Sequence, residues 1–396
     1  MRILLAHGYY QQPGREDESF AAEVAMLTSN GHSVIKYCLH NDAINNMSGF
    51  DAASRASWSR SAYREVRSLI QTHRPQVAHF NNTFPLISPA AYYAARSEGV
   101  PVVQTLHNFR LLCPNALFFR DGRVCEDCLG RSIPWPAVVH KCYRGSRSAT
   151  AAVAAMLMVH RAMGTWWQAV DVYIALAEFC RRKFIEGGLP AEKIVVKPNF
   201  IATDPGVGGG RGGYGVFVGR LAPEKGLETL LKAWKTLGGK VPLKVVGDGP
   251  MRATVEGSEA KDAGIEWLGR RSAQEVYSLI GEAMFLVFPS EWYETFGRVG
   301  IEAFAKGTPV IASRLGAMAE LVDHGRTGLH FEPGDAGDLA SKIQRLLADP
   351  RELAQMRQAA RREYERRYTA ESNYCTLMAI YRQAMTLARS KGNGET

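Results

Sequence analysis

Short apolar runs alternate with amphipathic stretches along almost the whole chain, and the two periodicities separate strands from helices. Residues 1–6, 33–38, 76–80, 100–106 and 170–175 are apolar nearly without interruption, as strands buried on both faces of a parallel sheet are. Between them, 18–30 repeats apolar side chains at helical spacing through Phe20, Val24 and Leu27, and 62–72, 89–98 and 177–187 predict further helices. Strand, loop, helix and strand in that order open a doubly wound α/β sheet. The alternation begins again after residue 200, with strands at 214–218, 243–246, 265–269, 283–288, 308–312 and 328–331. Helices are predicted at 227–237, 335–347, 350–367 and 370–387. A chain of 396 residues then divides into two domains, 1–200 and 201–369, each large enough to bury its own core.

The densest chemistry follows the strand at 283–288. It runs Ser290-Glu291-Trp292-Tyr293-Glu294-Thr295-Phe296-Gly297-Arg298-Val299-Gly300-Ile301-Glu302. Glu294 is expected in the loop beyond the carboxyl end of a strand, where open α/β sheets bind ligands. Glu302 is expected about two turns into the helix that follows, at about 1.5 Å rise per residue. Both carboxylates then address one extended ligand, while the first peptide N–H groups of that helix, near Phe296 to Val299, are open to an anion. Gly297 permits close approach of backbone to ligand. Two glutamates eight apart are common on ordinary helices, so the loop around Glu294 carries more weight than the spacing.

This stretch resembles the E-x7-E signature of the retaining glycosyltransferases of family 4, which have the GT-B architecture of two Rossmann-like domains facing a central cleft. The flank Glu302-Ala303-Phe304-Ala305-Lys306-Gly307-Thr308-Pro309-Val310, then Gly316 and Glu320-Leu321-Val322, extends the likeness. The resemblance implies transfer of a sugar from a nucleoside diphosphate sugar, of UDP or GDP type, to an acceptor hydroxyl. Anomeric configuration would be retained, with no cofactor and no metal in catalysis. Arg220 and Lys225 match the family's diphosphate-binding pair, and Glu302 its ribose ligand. Glu294 matches the ligand of the sugar hydroxyls, with a share in stabilising oxocarbenium character. Phe296, Gly297 and Val299 lie at the helix start that would neutralise the leaving diphosphate, and Gly249 and Arg270 fall near the nucleotide pocket. In the first domain, His107 matches the histidine that touches transferred sugar and acceptor, with Asn82 and Asn108 on the acceptor side. His107 and Glu294 are therefore the expected catalytic residues. Gly14 stands in the family's glycine-rich first loop, Pro13-Gly14-Arg15, where a second glycine is usual. Helix 370–387 is similar to the family's segment that crosses back onto the first domain. The likeness covers nearly the whole chain and is weakest over 109–149.

Residues 208–213 also spell G-x-G-x-x-G, but they precede a strand instead of joining strand to helix. A dinucleotide site is rejected on that ground, and with it a dehydrogenase; a flexible linker or cleft lip is expected. Cys113, Cys125, Cys128 and Cys142, spaced C-x11-C-x2-C-x13-C, suit either a structural tetrahedral zinc or four reduced thiols in an irregular loop. No secretory signal is evident, and the longest apolar run, 151–159, is half a membrane span. A cytoplasmic protein with reduced cysteines is expected.

Charge changes one further part of the picture. The chain carries a net +9, and residues 1–200 hold 22 Lys and Arg against 15 Asp and Glu. That excess suits an anionic acceptor, a saccharide or a lipid-linked one, and peripheral contact with the inner face of the cell membrane. It fits a role in cell-surface polysaccharide or glycolipid assembly. Nucleic acid is excluded as a partner because no recognition motif accompanies the charge. Helix 146–167, rich in Ala and Met, is expected to be core, with Arg144 and Arg147 leaving a surface role open. Two alternatives stand beside the transferase: a nucleotide-sugar epimerase of the same fold, and a non-catalytic nucleotide-sugar-binding protein.

Overall fold

The computed structural model describes residues 1–11 and 14–392. Two units form: one from 1–118, 126–202 and the described residues from Asn373 on, the other from 119–125 and 203–372. Each is built around one six-stranded parallel sheet.

The chain opens with β1 (Arg2–Tyr9), β2 (Ser33–His40), β3 (Val77–Phe80) and β4 (Val102–Leu106). A small antiparallel hairpin, β5 (Phe119–Arg120) and β6 (Arg123–Val124), precedes β7 (Val172–Ala175) and β8 (Ile194–Val196). The first sheet has the order β2-β1-β3-β4-β7-β8. Its helices are α1 (Arg15–Ser29), α2 (Gly49–Ser57), α3 (Arg60–His73), α4 (Ala90–Ser97), α5 (Trp135–Val139), α6 (Arg147–Ala162), α7 (Thr165–Gln168) and α8 (Glu178–Glu186). Ile3, Leu4, Leu5 and Ala6 expose nothing, because helices cover both faces of a parallel sheet. The predicted helix at 146–167 is two helices: Gly164, at φ +68°, ends one and starts the next.

The second sheet comprises β9 (Gly215–Val218), β10 (Leu243–Val246), β11 (Ile265–Gly269), β12 (Phe285–Phe288), β13 (Val310–Ser313) and β14 (Gly328–Phe331). Their order is β11-β10-β9-β12-β13-β14. Helices α9 (Leu227–Leu237), α10 (Arg252–Glu256), α11 (Ser258–Asp262), α12 (Ala273–Glu282), α13 (Arg298–Ala305), α14 (Met318–Leu321), α15 (Ala336–Ala348) and α16 (Pro350–Arg367) complete this unit. Leu227, Leu230, Trp234 and Leu237 form the buried stripe of α9, and Trp234 donates Nε1–H to Val241 O at 2.8 Å. Each such side chain taken from water contributes roughly 1.5–3 kcal/mol.

The glycine run before β9 is not a flexible linker. Gly208, Gly210 and Gly212 donate their N–H groups to Lys306, Gly281 and Glu282 carbonyls at 2.8–2.9 Å. A Cβ on Gly208 would lie 2.3 Å from Gly281 Cα, so the glycines allow this strap to lie flat against its neighbours. On α16, Arg361 is ion-paired to Asp204 and Glu365, and Arg366 and Arg367 to Glu363.

The last helix, α17 (Ala370–Gly392), is anchored to the first unit by polar contacts. Tyr381 OH meets His79 Nδ1 at 2.8 Å, and Lys197 Nζ donates to Asn373 Oδ1 at 3.0 Å. Lys197 and His79 also flank the buried carboxylate of Glu23, at 3.4 and 3.0 Å. Burial pushes the Glu23 carboxyl up, but the charges of His79 and Lys197 outweigh it and hold the group down at about 2. Pro13 of the first loop lies outside the described residues.

Candidate functional site

In the second unit the strand order reverses between β9 and β12, which makes the carboxyl ends of those two strands the place where a doubly wound sheet opens a crevice. Lys225 follows β9 and Glu294 follows β12, and they meet there. Glu294, 8% exposed, accepts at its Oε1 from Lys225 Nζ at 2.5 Å, Ser290 Oγ at 2.8 Å and Trp292 Nε1 at 2.7 Å. The ammonium also lies 4.9 Å from the centre of the Trp292 ring. Three donors on one oxygen fix the carboxylate.

The two loops are locked together by backbone. Glu291 N–H donates to Glu224 O at 2.9 Å, and Thr229 Oγ1 to Glu291 Oε1 at 2.6 Å. Gly226, at φ +69°, has its α-carbon so close to β12's loop that a Cβ would sit 1.9 Å from Pro289 O. Arg220, exposed, stands two residues beyond the end of β9. Gly249 N–H bonds Asp248 Oδ1 at 2.8 Å, and a Cβ there would lie 2.4 Å from Leu221 O, so this glycine serves packing of the strand ends. Arg270 is 3.7 Å from Asp248 and largely exposed.

α13 starts after Gly297, at φ +84°, where a Cβ would strike Met318 Sδ at 2.2 Å. Glu302 is consequently one turn into the helix, not two. Its carboxylate is 3% exposed and lies 3.4 Å from Arg298 Nε. Phe296 and Val299 are buried beside it, Phe296 edge-on to Tyr368 at 6.0 Å.

In the first unit the corresponding reversal lies between β1 and β3. Asn82, buried, donates Nδ2–H to Gly8 O at 2.8 Å while Gly8 N–H returns to Asn82 O at 2.7 Å, tying the two strand ends. His107 follows β4 and donates Nε2–H to Asn81 Oδ1 at 2.9 Å. Asn108 donates weakly to Tyr10 OH and Glu16 Oε1, both at 3.4 Å, and Tyr10 OH donates to Glu16 Oε2 at 2.7 Å. Burial raises the Glu16 carboxyl against these hydrogen bonds. Arg110, its guanidinium 4.4 Å from the Phe84 ring centre, donates to Pro114 O. Gly14 caps α1 by accepting and donating with Asp17; with φ −124° and nothing nearer than 3.8 Å to a Cβ, neither conformation nor space requires glycine there.

Burial, with added repulsion from His7 and Lys197, holds the His107 imidazole down at about 3. It is therefore neutral in the folded protein, while the unfolded chain takes up a proton near pH 6.5. Stability from this group is complete above about pH 6.5 and falls as pH drops toward 3. The imidazole resonances of His107 are expected not to titrate between about pH 8 and 5. The substitution His107→Gln should lessen the acid loss of urea midpoint over that window, whereas an NMR midpoint near 6.5 would overturn the assignment.

Cys113, Cys125, Cys128 and Cys142 lie in the segment between β4 and β7. No three or more His, Cys, Asp or Glu side chains among the described residues are grouped to hold a metal ion. Cys113 and Cys128 are buried, and Cys128 Sγ points to Pro134 O at 3.9 Å. The bends of this irregular segment, with Ala116, Phe118, Asp121, Lys141 and Arg144 at positive φ, are what spacing alone does not predict.

A family model described as glycosyl transferases group 1 matches residues 212–363, and one described as glycosyltransferase family 4 matches 23–205. Each half of the chain thus matches a glycosyltransferase family model, and the two matches together span most of its length. An uncharacterized glycosyltransferase of Methanocaldococcus jannaschii is 34% identical over 43% of this chain and 48% of its own length. A glycogen synthase of Mycobacterium tuberculosis is 30% identical over 44% and 42%. The chain thus spans about half the length of the curated relatives it matches. Among solved structures, sucrose-phosphate synthase from Thermosynechococcus elongatus superposes with a TM-score of 0.72 at 17% identity, covering 97% of this chain and 99% of that one. Anabaena HepE in complex with UDP gives 0.67 at 19%, covering 96% and 99%. The fold is GT-B.

Sequence reasoning singled out Lys225 and Glu294 separately but not their ion pair, nor Ser290 and Trp292 as its other members. It also passed over Tyr10, Glu16 and Asn81. Only Asn81, next to Asn82 at a strand end, carried a signal that positional reasoning could have used.

Proposed function

We propose that the chain transfers a sugar from a nucleoside diphosphate sugar, of UDP or GDP type, to an acceptor hydroxyl with retention and without a catalytic metal. The observation that carries this is the Lys225–Glu294 cluster at the reversal of the second sheet, with α13 starting beside it. As the bond between anomeric carbon and phosphate oxygen breaks, the leaving diphosphate gains charge. Arg220, Lys225 and the α13 N-terminus supply fixed positive charge to that group. Glu294 Oε2 accepts from sugar hydroxyls, and Glu302 holds the ribose. The leaving phosphate takes the acceptor's proton on the face it departs from, so the new bond forms with retained configuration. Neutral His107 offers hydrogen bonding, not charge, to sugar or acceptor. Solution of HepE with UDP supports a uridine donor, and the basic first half supports an anionic or lipid-linked acceptor in polysaccharide or glycolipid assembly.

A thermal-shift screen of UDP-, GDP- and ADP-sugars tests the donor side. At a hundredfold excess over Kd, the right donor should stabilise by about 2.7 kcal/mol, a shift of several degrees. No shift with any of the three would overturn the proposal, and conversion of donor to its epimer without acceptor would favour an epimerase.

A further inference from the structure

Between Asp127 and Asp171 the sequence holds no acidic residue, but five basic ones: Arg131, Lys141, Arg144, Arg147 and Arg161. α5 and α6, which pack on each other, come from this segment. α6 buries Val153, Ala154, Met156, Leu157 and His160 on one side. The side turned to solvent should then be polar. Instead it presents Ala151, Ala155, Val159 and Met163 at steps of four residues, the last two 49% and 44% exposed. α5 adds Trp135 and Val139, each 52% exposed and likewise one turn apart.

Basic groups frame this apolar surface. The Arg131 guanidinium lies 5.7 Å from the Trp135 ring centre, and its Nε–H donates to Asp127 O. Arg161 donates to Arg131 O. Main-chain oxygens as partners leave the guanidinium charges uncancelled. The neighbouring α2 brings Asp51 and Arg55, which offset each other, and Phe50, 83% exposed.

We propose that the face made by α5 and the outer side of α6 docks on the surface of an anionic lipid bilayer. Apolar and aromatic side chains would enter the headgroup boundary while Arg131, Lys141, Arg144 and Arg147 meet lipid phosphates. Among the described residues no helix is long and apolar enough to cross a membrane, and α6 has 16 residues, so it lies on the bilayer. A second copy fits this face poorly, because pairing it with itself would bring two sets of like charges together. The inference deepens the lipid-linked reading of the acceptor and rests on it for purpose, though its geometry is independent.

Flotation of the full chain with vesicles of phosphatidylcholine alone, or mixed with phosphatidylglycerol, tests it. The protein should float with the mixed vesicles only, and binding should fall steeply with salt, since screening acts within about 8 Å at physiological ionic strength. Replacing Arg144 and Arg147 by Gln should weaken partitioning by about fivefold per residue. The pair Val159→Gln and Met163→Gln should also abolish it, which a purely ionic attachment would not show. All four positions are on the surface, and an unchanged thermal shift with the donor sugar reports an intact fold, separating failure here from failure of the donor assignment. Equal flotation with both vesicles, or with neither, overturns the proposal. So does a dimer that Val159→Gln and Met163→Gln dissociate, which would give the face to a second copy.

Discussion

Replacing Lys225 by alanine is expected to slow sugar transfer by about 10²-fold or more, as loss of one preorganised charge partner does. The effect has two sources. The ammonium would no longer meet the developing charge of the diphosphate, and Glu294 would lose the closest of the three donors that hold its Oε1. Ser290 and Trp292 remain, so the carboxylate should keep its place and the protein its fold. Lys225→Arg should recover only part of the rate, because a planar guanidinium does not reproduce a point charge at 2.5 Å from the carboxylate. Release of nucleoside diphosphate in a coupled assay, together with calorimetric binding of the nucleotide, separates the two sources. A wild-type rate in Lys225→Ala removes the charge role altogether. Weakened turnover with unchanged nucleotide binding would confine Lys225 to positioning Glu294.

Gly226→Ala should be among the most damaging single methyls in the second unit. The position combines φ +69° with a Cβ placed 1.9 Å from Pro289 O, and neither atom belongs to a flexible side chain. Relief requires moving the loop after β12, the one that carries Ser290, Trp292 and Glu294. A loss of about 3 kcal/mol or more is expected, in the range of severe point mutations. Over a unit of this size that is a fall in Tm of roughly 5–15 °C. Gly238→Ala is the control: its φ is +63°, yet nothing lies within 4 Å of the added Cβ. It carries the left-handed backbone penalty alone, about 1–2 kcal/mol. Equal shifts in the two variants, measured by urea and thermal melts, would mean that the loop gives way and that the contact with Pro289 is not rigid. Transfer should fall with Gly226→Ala even at temperatures where the fold persists, since the displaced loop holds the carboxylate.

Most of the fold was legible because of how parallel sheets are made. Strands covered on both faces read as unbroken apolar runs, and the helices between them show one apolar stripe, so β9, β10, β11 and β14 fall at the predicted residues or within one. Short helices such as α2, α10 and α11 went unpredicted, as did the hairpin at β5 and β6. These segments owe their conformation to neighbours, not to local periodicity. The family likeness, with Arg220, Lys225, Glu294 and Glu302 named by position, was also in the sequence, since motif spacing survives where overall identity is low.

What the chain could not declare in one dimension is what contacts across it decide. Glu302 moved a full turn nearer the helix start because a left-handed Gly297, wedged against Met318, fixes where α13 begins. The glycine run before β9 looked like a linker and is a strap, since flat packing against Gly281 uses the same residue type as flexibility does. The apolar run of α6 suggested a core helix; only the tertiary structure reveals that one of its apolar faces is turned to solvent. By itself the sequence determined the alternation of elements, the family and the charge balance, because these depend on local patterns and composition. The meeting of Lys225 with Glu294 across 69 residues, the burial that keeps His107 neutral and the exposure of α6 were decided by packing, which brings distant groups together and removes water from around them.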